Sequence, residues 1–146
     1  MKTLILGVGN LLLKDEGVGI HVVRALEREE LPCGTCLMDG GTGGLHLAGL
    51  LEEYDRIIMI DATLDDHPAG TVRLLQPRYA SDFPPLMSAH EIGLRDMIVA
   101  MSLTGTLPDI QLIVISAHSV WEVGMELSPR VQAAIPEVIA IIRKIL

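Results

Sequence analysis

The sequence has few basic residues, few aromatic residues and no long apolar run, and each shortage excludes a class of function. Its 146 residues include 11 Lys and Arg against 19 Asp and Glu, which gives a net charge of −8. Because phosphate groups repel such a chain, we expect neither a nucleic-acid partner nor an anionic membrane surface. No stretch reaches the roughly 18 apolar residues that a membrane span needs. The apolar start is broken by Gly7, Gly9 and Asn10 and lacks a signal-peptide cleavage site, so we expect a cytoplasmic protein.

Cysteine is almost absent, which argues against a disulfide framework and against a zinc ribbon. The two cysteines form the sequence Cys33-Gly34-Thr35-Cys36. A redox pair prefers the start of a helix, where the thiolate pKa is lowered. Here the pair runs into the apolar Leu37, as at the start of a strand. A zinc ribbon would need a second cysteine pair. We therefore interpret both residues as free thiols near a strand.

Apolar residues dominate what is present, at 49% of the chain. This fraction predicts a packed globular domain and excludes a disordered segment. Since only 3% of residues are aromatic, the core must be aliphatic, with seven Met as filler. The length fits one domain over residues 1–146, because two domains would each be small for independent stability.

Short apolar runs alternate with stretches of helical periodicity along the chain. Strands are predicted at 3–9, 35–39, 56–61, 70–75 and 109–117, and helices at 16–29 and 45–53. A further helix follows the capping box that begins at Ser88, and the last begins at Pro129 and should kink or split at Pro136. The order predicts an α/β fold in which helices cover both faces of a mostly parallel, five-stranded sheet. The strand at 70–75 is reached by a connection too short for a crossover, so it should be antiparallel and at an edge.

Acidic residues collect where the predicted strands end. Glu16 follows the first strand, Asp39 ends the second and Asp61 ends the third, while His90 starts a helix. In open α/β sheets, sites form at the carboxyl ends of the strands. Glu, Asp and His with open coordination positions suit a divalent metal that also contacts a substrate or water.

Each of these residues also has a structural explanation. An acid in the first turn of a helix, such as Asp15 or Glu16, is favoured by the helix dipole, and Asp39 could cap a turn. Asp61 is harder to explain in this way, because a carboxylate that closes a buried strand needs a partner. His118, after the last strand, is left open between a site residue and a surface residue.

Other site types fit the sequence poorly. The glycines Gly7 and Gly9 suggest a dinucleotide fingerprint, but the third glycine position is Leu12, and no nucleotide is expected. His90 and Glu91 begin the zinc-protease motif H-E-x-x-H, but Leu94 stands where the second histidine should be. The sequence contains neither a G-x-S-x-G nucleophile motif nor a Walker A loop.

Taken together, the motifs resemble those of the [NiFe]-hydrogenase maturation endopeptidases over essentially the whole chain. The matching segments are Gly7-Val8-Gly9-Asn10-Leu11-Leu12, Asp15-Glu16-Gly17-Val18-Gly19, Asp39-Gly40-Gly41-Thr42, Asp61, Ser88-x-His90 and Gly124-x-x-Leu127-Ser128-Pro129. The segment Ala117-His118-Ser119-Val120 departs from the family, which often has a Gly and a Pro there. This departure leaves open which hydrogenase isoenzyme is served.

The resemblance implies a phosphorylase/hydrolase-like α/β/α sandwich and an endopeptidase. The enzyme would remove a carboxy-terminal extension from the nickel-loaded large-subunit precursor of a [NiFe]-hydrogenase. Glu16, Asp61 and His90 would contact nickel that the precursor already holds. Asp39 and Asp61 are the candidate catalytic carboxylates, and substrate binding is implied for Asp39, Gly40, Gly41 and Thr42. Whether catalysis is of the aspartic or the metallo type stays open, and a non-catalytic nickel-binding chaperone is the alternative.

Overall fold

Five strands form one sheet in the computed structural model, which describes residues 1–41, 48–77, 101, 103, 105 and 108–146. They are β1 (Thr3–Val8), β2 (Thr35–Gly41), β3 (Arg56–Thr63), β4 (Val72–Leu75) and β5 (Asp109–Ser116). Their order across the sheet is β2-β1-β3-β5-β4. All neighbours are parallel except β4, which runs antiparallel to β5 at the edge. The predicted sheet and its antiparallel edge strand are confirmed.

Helices cover both faces of this sheet. A 3-10 turn (Lys14–Gly17) leads into α1 (Val18–Leu26), α2 (Ala48–Leu51) follows β2, and α3 (Pro129–Ile145) ends the chain. Side chains of α1 and α3 share one buried cluster with Ile58 and Ile60 of β3. Leu51 of α2 shares a second cluster with Ile57 and Met59, which point to the other face. The chain therefore forms three layers, as expected for an α/β/α sandwich.

The three central strands are buried on both faces, and this explains their nearly continuous apolar sequences. Every residue of β1 is buried, as are all residues of β3 and β5 except the first of each. The edge strands β2 and β4 contain no buried residue. Burial that decreases from the central strands to the edge strands is typical of a parallel sheet between two helical layers.

Several boundaries differ from the predictions, and the end of β3 is the one that concerns the site. β3 runs to Thr63, so Asp61 lies inside the strand and is paired with Val114 of β5. Of the two predicted effects of Pro136, a split of the last helix is wrong, because α3 is one helix of 17 residues, and a kink stays a prediction. Pro136 lies on the exposed face, where water can satisfy the carbonyl of Gln132. The inward-facing Val131, Ile135, Val138 and Ile142 are buried on both sides of it and hold the helix together.

Some predicted elements fall outside the described residues. They include Thr42, His90 and the start of the helix predicted after Ser88. Within the described ranges, no helix is both long enough and apolar enough to cross a membrane. The thiols of Cys33 and Cys36 are free and exposed, as predicted.

Candidate functional site

Two glycines let the start of α1 lie directly against the sheet. A Cβ atom on Gly19 would stand 2.2 Å from the carbonyl oxygen of Ile60, and one on Gly7 would stand 2.4 Å from the carbonyl oxygen of Gly19. No side chain fits at such separations, so both positions require glycine. The contact fixes the 3-10 turn before α1 against β1 and β3, and that turn carries Glu16.

Glu16 and Asp61 both lie close to Gly9. Both side chains are buried, with residue exposures of 4% for Glu16 and 1% for Asp61. Gly9 has a φ of +139°, and a Cβ atom there would lie 1.9 Å from the carbonyl oxygen of Glu16 and 3.7 Å from Oδ1 of Asp61. The loop after β1 therefore lies against both acids at a position where only glycine fits, and Glu16 is near enough for its charge to act on Asp61.

Among the described residues, Asp61 is a buried carboxylate with one partnered and one unpartnered oxygen. Its Oδ1 accepts a hydrogen bond from the backbone nitrogen of Ala62 at 2.8 Å, while its Oδ2 is buried and has no partner among the described residues. Burial raises the pKa of Asp61 well above its usual value of 3.8; the bond from Ala62 lowers it, and the negative charge of Glu16 raises it. A buried carboxylate of this kind is stabilised by a proton or by a cation.

The pair offers oxygen donors, which suit a divalent metal ion. Two carboxylates do not complete a coordination shell, and no group of three or more His, Cys, Asp or Glu side chains able to hold a metal occurs within the described ranges. The third predicted ligand, His90, lies outside them. The orphaned Oδ2 of Asp61 is the feature that fits a cation best.

Asp39 reaches the same edge of the sheet from the opposite face. In the sheet register, Asp39 is paired with Gly7 of β1, and Gly7 is paired with Ile60 of β3. Strand β1 therefore lies between Asp39 and Asp61. Since side chains alternate along a strand, Asp39 shares the face of Ile60 and not that of Asp61. Its side chain is exposed, and its Oδ1 accepts a hydrogen bond from the nitrogen of Gly41 at 2.9 Å. Asp39 therefore caps a local turn, which is the structural role considered for it from the sequence. The turn keeps the Gly40–Gly41 segment in a bulge beside β1.

Asp15 is a third buried acid, and sequence reasoning missed its role. Its carboxylate accepts hydrogen bonds from the backbone nitrogens of His118 (2.9 Å), Ser119 (3.1 Å) and Ser128 (2.7 Å), and from the hydroxyl of Ser128 (2.9 Å). Burial alone would raise the pKa of Asp15, but these bonds from Ser128, Ser119 and His118 hold it below its usual value. Asp15 thus joins the turn that carries Glu16 to the segment between β5 and α3.

The structure gives His118 and His67 different surroundings from the acid pair. The residue His118 is exposed and contributes its backbone nitrogen to Asp15. His67 belongs to a cluster around Asp65, whose carboxylate also accepts hydrogen bonds from Arg73 at 2.7 Å and from Ser116 at 2.9 Å. That cluster links β4 to the end of β5, so its role is structural.

The chain is thus a three-layer α/β/α protein with a buried acid pair at the carboxyl edge of its sheet, and comparisons identify its family. A family model described as hydrogenase maturation protease matches residues 20–145. The chain is 36% identical over 151 residues to the hydrogenase 2 maturation protease of Escherichia coli K12, covering 99% of this chain and 92% of that protein. The chain therefore belongs to the hydrogenase maturation protease family, whose activity is peptide-bond hydrolysis.

Solved structures agree with this assignment. The hydrogenase maturating endopeptidase HybD from Escherichia coli superposes with a TM-score of 0.86 at 35% identity, over 99% of this chain and 93% of that one. The [NiFe] hydrogenase maturation protease HybD from Thermococcus kodakarensis has a TM-score of 0.81 at 32% identity, over 99% of both chains. The fold and the peptidase class are thus confirmed together.

Proposed function

We propose that this chain removes a carboxy-terminal extension from the nickel-loaded large-subunit precursor of a [NiFe]-hydrogenase. The family supplies the reaction class, and one observation supports the nickel-directed mechanism. That observation is the buried Oδ2 of Asp61, which has no partner among the described residues and lies beside Glu16. A cation presented by the substrate would satisfy it.

In this mechanism nickel arrives as part of the substrate. Glu16 and Asp61 provide carboxylate oxygens, and His90 is proposed as the third contact. Because a carboxylate binds a metal in its ionised form, docking would displace the proton that burial favours on Asp61. The acid pair then recognises the nickel-loaded precursor and fixes its orientation, and no separate cofactor or nucleotide is required.

Hydrolysis needs a group that activates water near the scissile peptide. Asp39 and Asp61 are the proposed catalytic carboxylates, and either could act as a general base. Asp39 is exposed and stands at the end of an edge strand, so an extended peptide can approach it, with Gly40, Gly41 and Thr42 proposed to contact the extension. Asp61 is inside the sheet and suits the nickel contact better. We therefore favour a division in which Asp61 positions the substrate and Asp39 activates the water.

Replacing His90 by Ala tests the nickel contacts. The purified variant is incubated with nickel-loaded precursor, and the product mass is measured. We expect loss of processing with unchanged circular dichroism, whereas His67→Ala, which alters a histidine of the Asp65 cluster, should process normally. Normal cleavage by His90→Ala would remove that residue from the ligand set.

The same assay tests the function as a whole. The wild-type protein should release a carboxy-terminal peptide from nickel-loaded precursor and leave nickel-free precursor intact. Binding without any change of mass would instead indicate the non-catalytic chaperone. A cytoplasmic location and a single domain over residues 1–146 remain predictions that accompany this proposal.

A further inference from the structure

Four large apolar side chains stand exposed beside the candidate site. They are Leu12 (57% exposed), Trp121 (79%), Val123 (83%) and Met125 (52%), and they are called the apolar rim patch here. Trp121 is the only tryptophan of the chain. Scattered exposed apolar residues are common, but a contiguous group of this size usually marks a surface that binds another molecule.

The residues of the apolar rim patch come from two loops that are bonded to each other. The nitrogen of Gly124 donates to the carbonyl of Leu12 at 2.8 Å, and the nitrogen of Lys14 donates to the carbonyl of Gly124 at 2.8 Å. Lys14 also forms an ion pair with Glu122 at 2.8 Å. Leu12 therefore lies beside Gly124, between Val123 and Met125 in the chain, so the two loops that carry the patch are adjacent.

The segment that carries Trp121 is also anchored at both ends. Val120 is buried in the core of α1 and α3, and Leu127 packs against the same core. Asp15 binds the backbone at His118, Ser119 and Ser128, on either side of the segment. Because its ends are fixed in this way, the patch is formed before any partner arrives, which lowers the entropy lost on binding.

The apolar rim patch is continuous with the acid pair through a short piece of chain. Leu12 lies in the turn that the nitrogen of Leu13 closes by donating to the carbonyl of Asn10 at 3.1 Å, and Glu16 ends the next turn, where its nitrogen donates to the carbonyl of Leu13 at 3.1 Å. A protein that presents a metal to Glu16 and Asp61 would therefore also cover this patch. The exposed Glu122 and Glu126 border it.

We propose that the apolar rim patch is a docking surface for the hydrogenase large-subunit precursor. It would bind an apolar segment of the precursor, with a basic residue of the precursor facing Glu122 or Glu126. The inference rests on the proposed function, because it takes the metal-bearing substrate as the occupant. A second copy of this chain is a poorer occupant, since each copy carries a charge of −8 and its own glutamates border the patch.

A double variant, Trp121→Ala with Val123→Ser, tests the proposal through the kinetics of precursor processing. We expect KM to rise on the order of tenfold or more, because aromatic anchors carry much of the affinity of protein interfaces. The kcat should stay unchanged, since neither residue belongs to the catalytic or nickel-binding set. Leu74→Ser, which alters an exposed apolar residue on β4, should leave both constants unchanged. An unchanged KM in the double variant would overturn the docking surface.

The single tryptophan allows a direct measurement of contact. Protease labelled with 5-fluorotryptophan has one ¹⁹F resonance, from Trp121, and it should shift when nickel-loaded precursor is added. A shift that already occurs with rising protease concentration alone would assign the patch to self-association and overturn the proposal. Failure of the proposed function gives a different pattern, in which the precursor is not cut at all. Normal cutting without a ¹⁹F shift contradicts only the docking surface.

Discussion

The carboxylate of Asp15 accepts two hydrogen bonds from Ser128, one from its backbone nitrogen at 2.7 Å and one from its hydroxyl at 2.9 Å. Ser128 precedes α3, and Asp15 belongs to the 3-10 turn before α1. One buried acid therefore joins the beginnings of two helices that lie far apart in the sequence. Glu16 is the next residue, so the position of the candidate metal contact depends on this link.

Replacing Asp15 by Asn should destabilise the protein by about 2–4 kcal/mol, because three backbone donors and one hydroxyl would lose a buried, charged acceptor. Ser128→Ala is the matched control, since it removes only one of the four hydrogen bonds and should cost about 1 kcal/mol. Urea denaturation at neutral pH measures both values. Equal losses in the two variants would contradict the central role of the carboxylate.

The contribution of Asp15 should also depend on pH, with a defined sign. Its hydrogen bonds hold the pKa of Asp15 in the folded protein below the ordinary value of 3.8. The stabilisation is therefore fully present above that value and is lost as the pH falls through the folded pKa. The difference in unfolding free energy between wild type and Asp15→Asn should be constant near neutral pH and shrink in acid. If this difference in unfolding free energy grew in acid, the lowered pKa of Asp15 in the folded protein would be contradicted.

Asp61→Asn should make the metal-free protein more stable while ending precursor processing. Burial raises the pKa of Asp61, so its ionised form weakens the fold at neutral pH, and a neutral amide removes that penalty. We expect a thermal midpoint a few degrees higher, with roughly 2–4 °C for each kcal/mol in a protein of this size. Calorimetry measures the midpoint, and product mass measures processing. A lower thermal midpoint for Asp61→Asn would contradict the conclusion that the charge of Asp61 destabilises the metal-free fold.

Gly19→Ala should severely impair folding, because the added Cβ would meet the carbonyl oxygen of Ile60 at 2.2 Å. The start of α1 would have to move away from β3, and Glu16 would move away from Asp61 with it. Gly49→Ala in α2 is the matched control, since nothing lies within 4 Å of the added atom. The control should be neutral or more stable by up to about 1 kcal/mol, as alanine favours helices. Soluble yield and thermal midpoint separate the two variants.

Much of the fold could be predicted because the local signals were strong. The apolar run from Ile57 to Ile60 indicated a strand buried on both faces, and the short connection to the strand at 70–75 predicted its antiparallel direction. Glu16 and Asp61 could be brought together by a general rule, since sites in such sheets form at the carboxyl edge. The rule uses only the order of elements, which the sequence displays.

The remaining features depend on contacts between residues far apart in the sequence and on the face of the sheet to which a strand residue points. Sequence patterns contain neither. Ser128 lies 113 residues from Asp15, and a helix-dipole explanation was sufficient for Asp15 until that contact was seen. The opposite faces of Asp39 and Asp61 follow from the register of two strand pairs. Pro136 was misleading, because tertiary packing on the inner face of α3 outweighs one missing backbone donor on its exposed face.

The bonds from His118 and Ser119 to Asp15 use backbone nitrogens, which every residue type except proline provides. These hydrogen bonds hold the segment after Ser119 in place, but they do not restrict the identity of its side chains. The exposed side chains of Trp121, Val123 and Met125 can change identity without disturbing the acid pair, as long as Asp15 and its backbone donors remain. The architecture thus separates the side chains of the proposed docking surface, which can vary, from the buried acids and their backbone donors, which cannot vary without breaking the link.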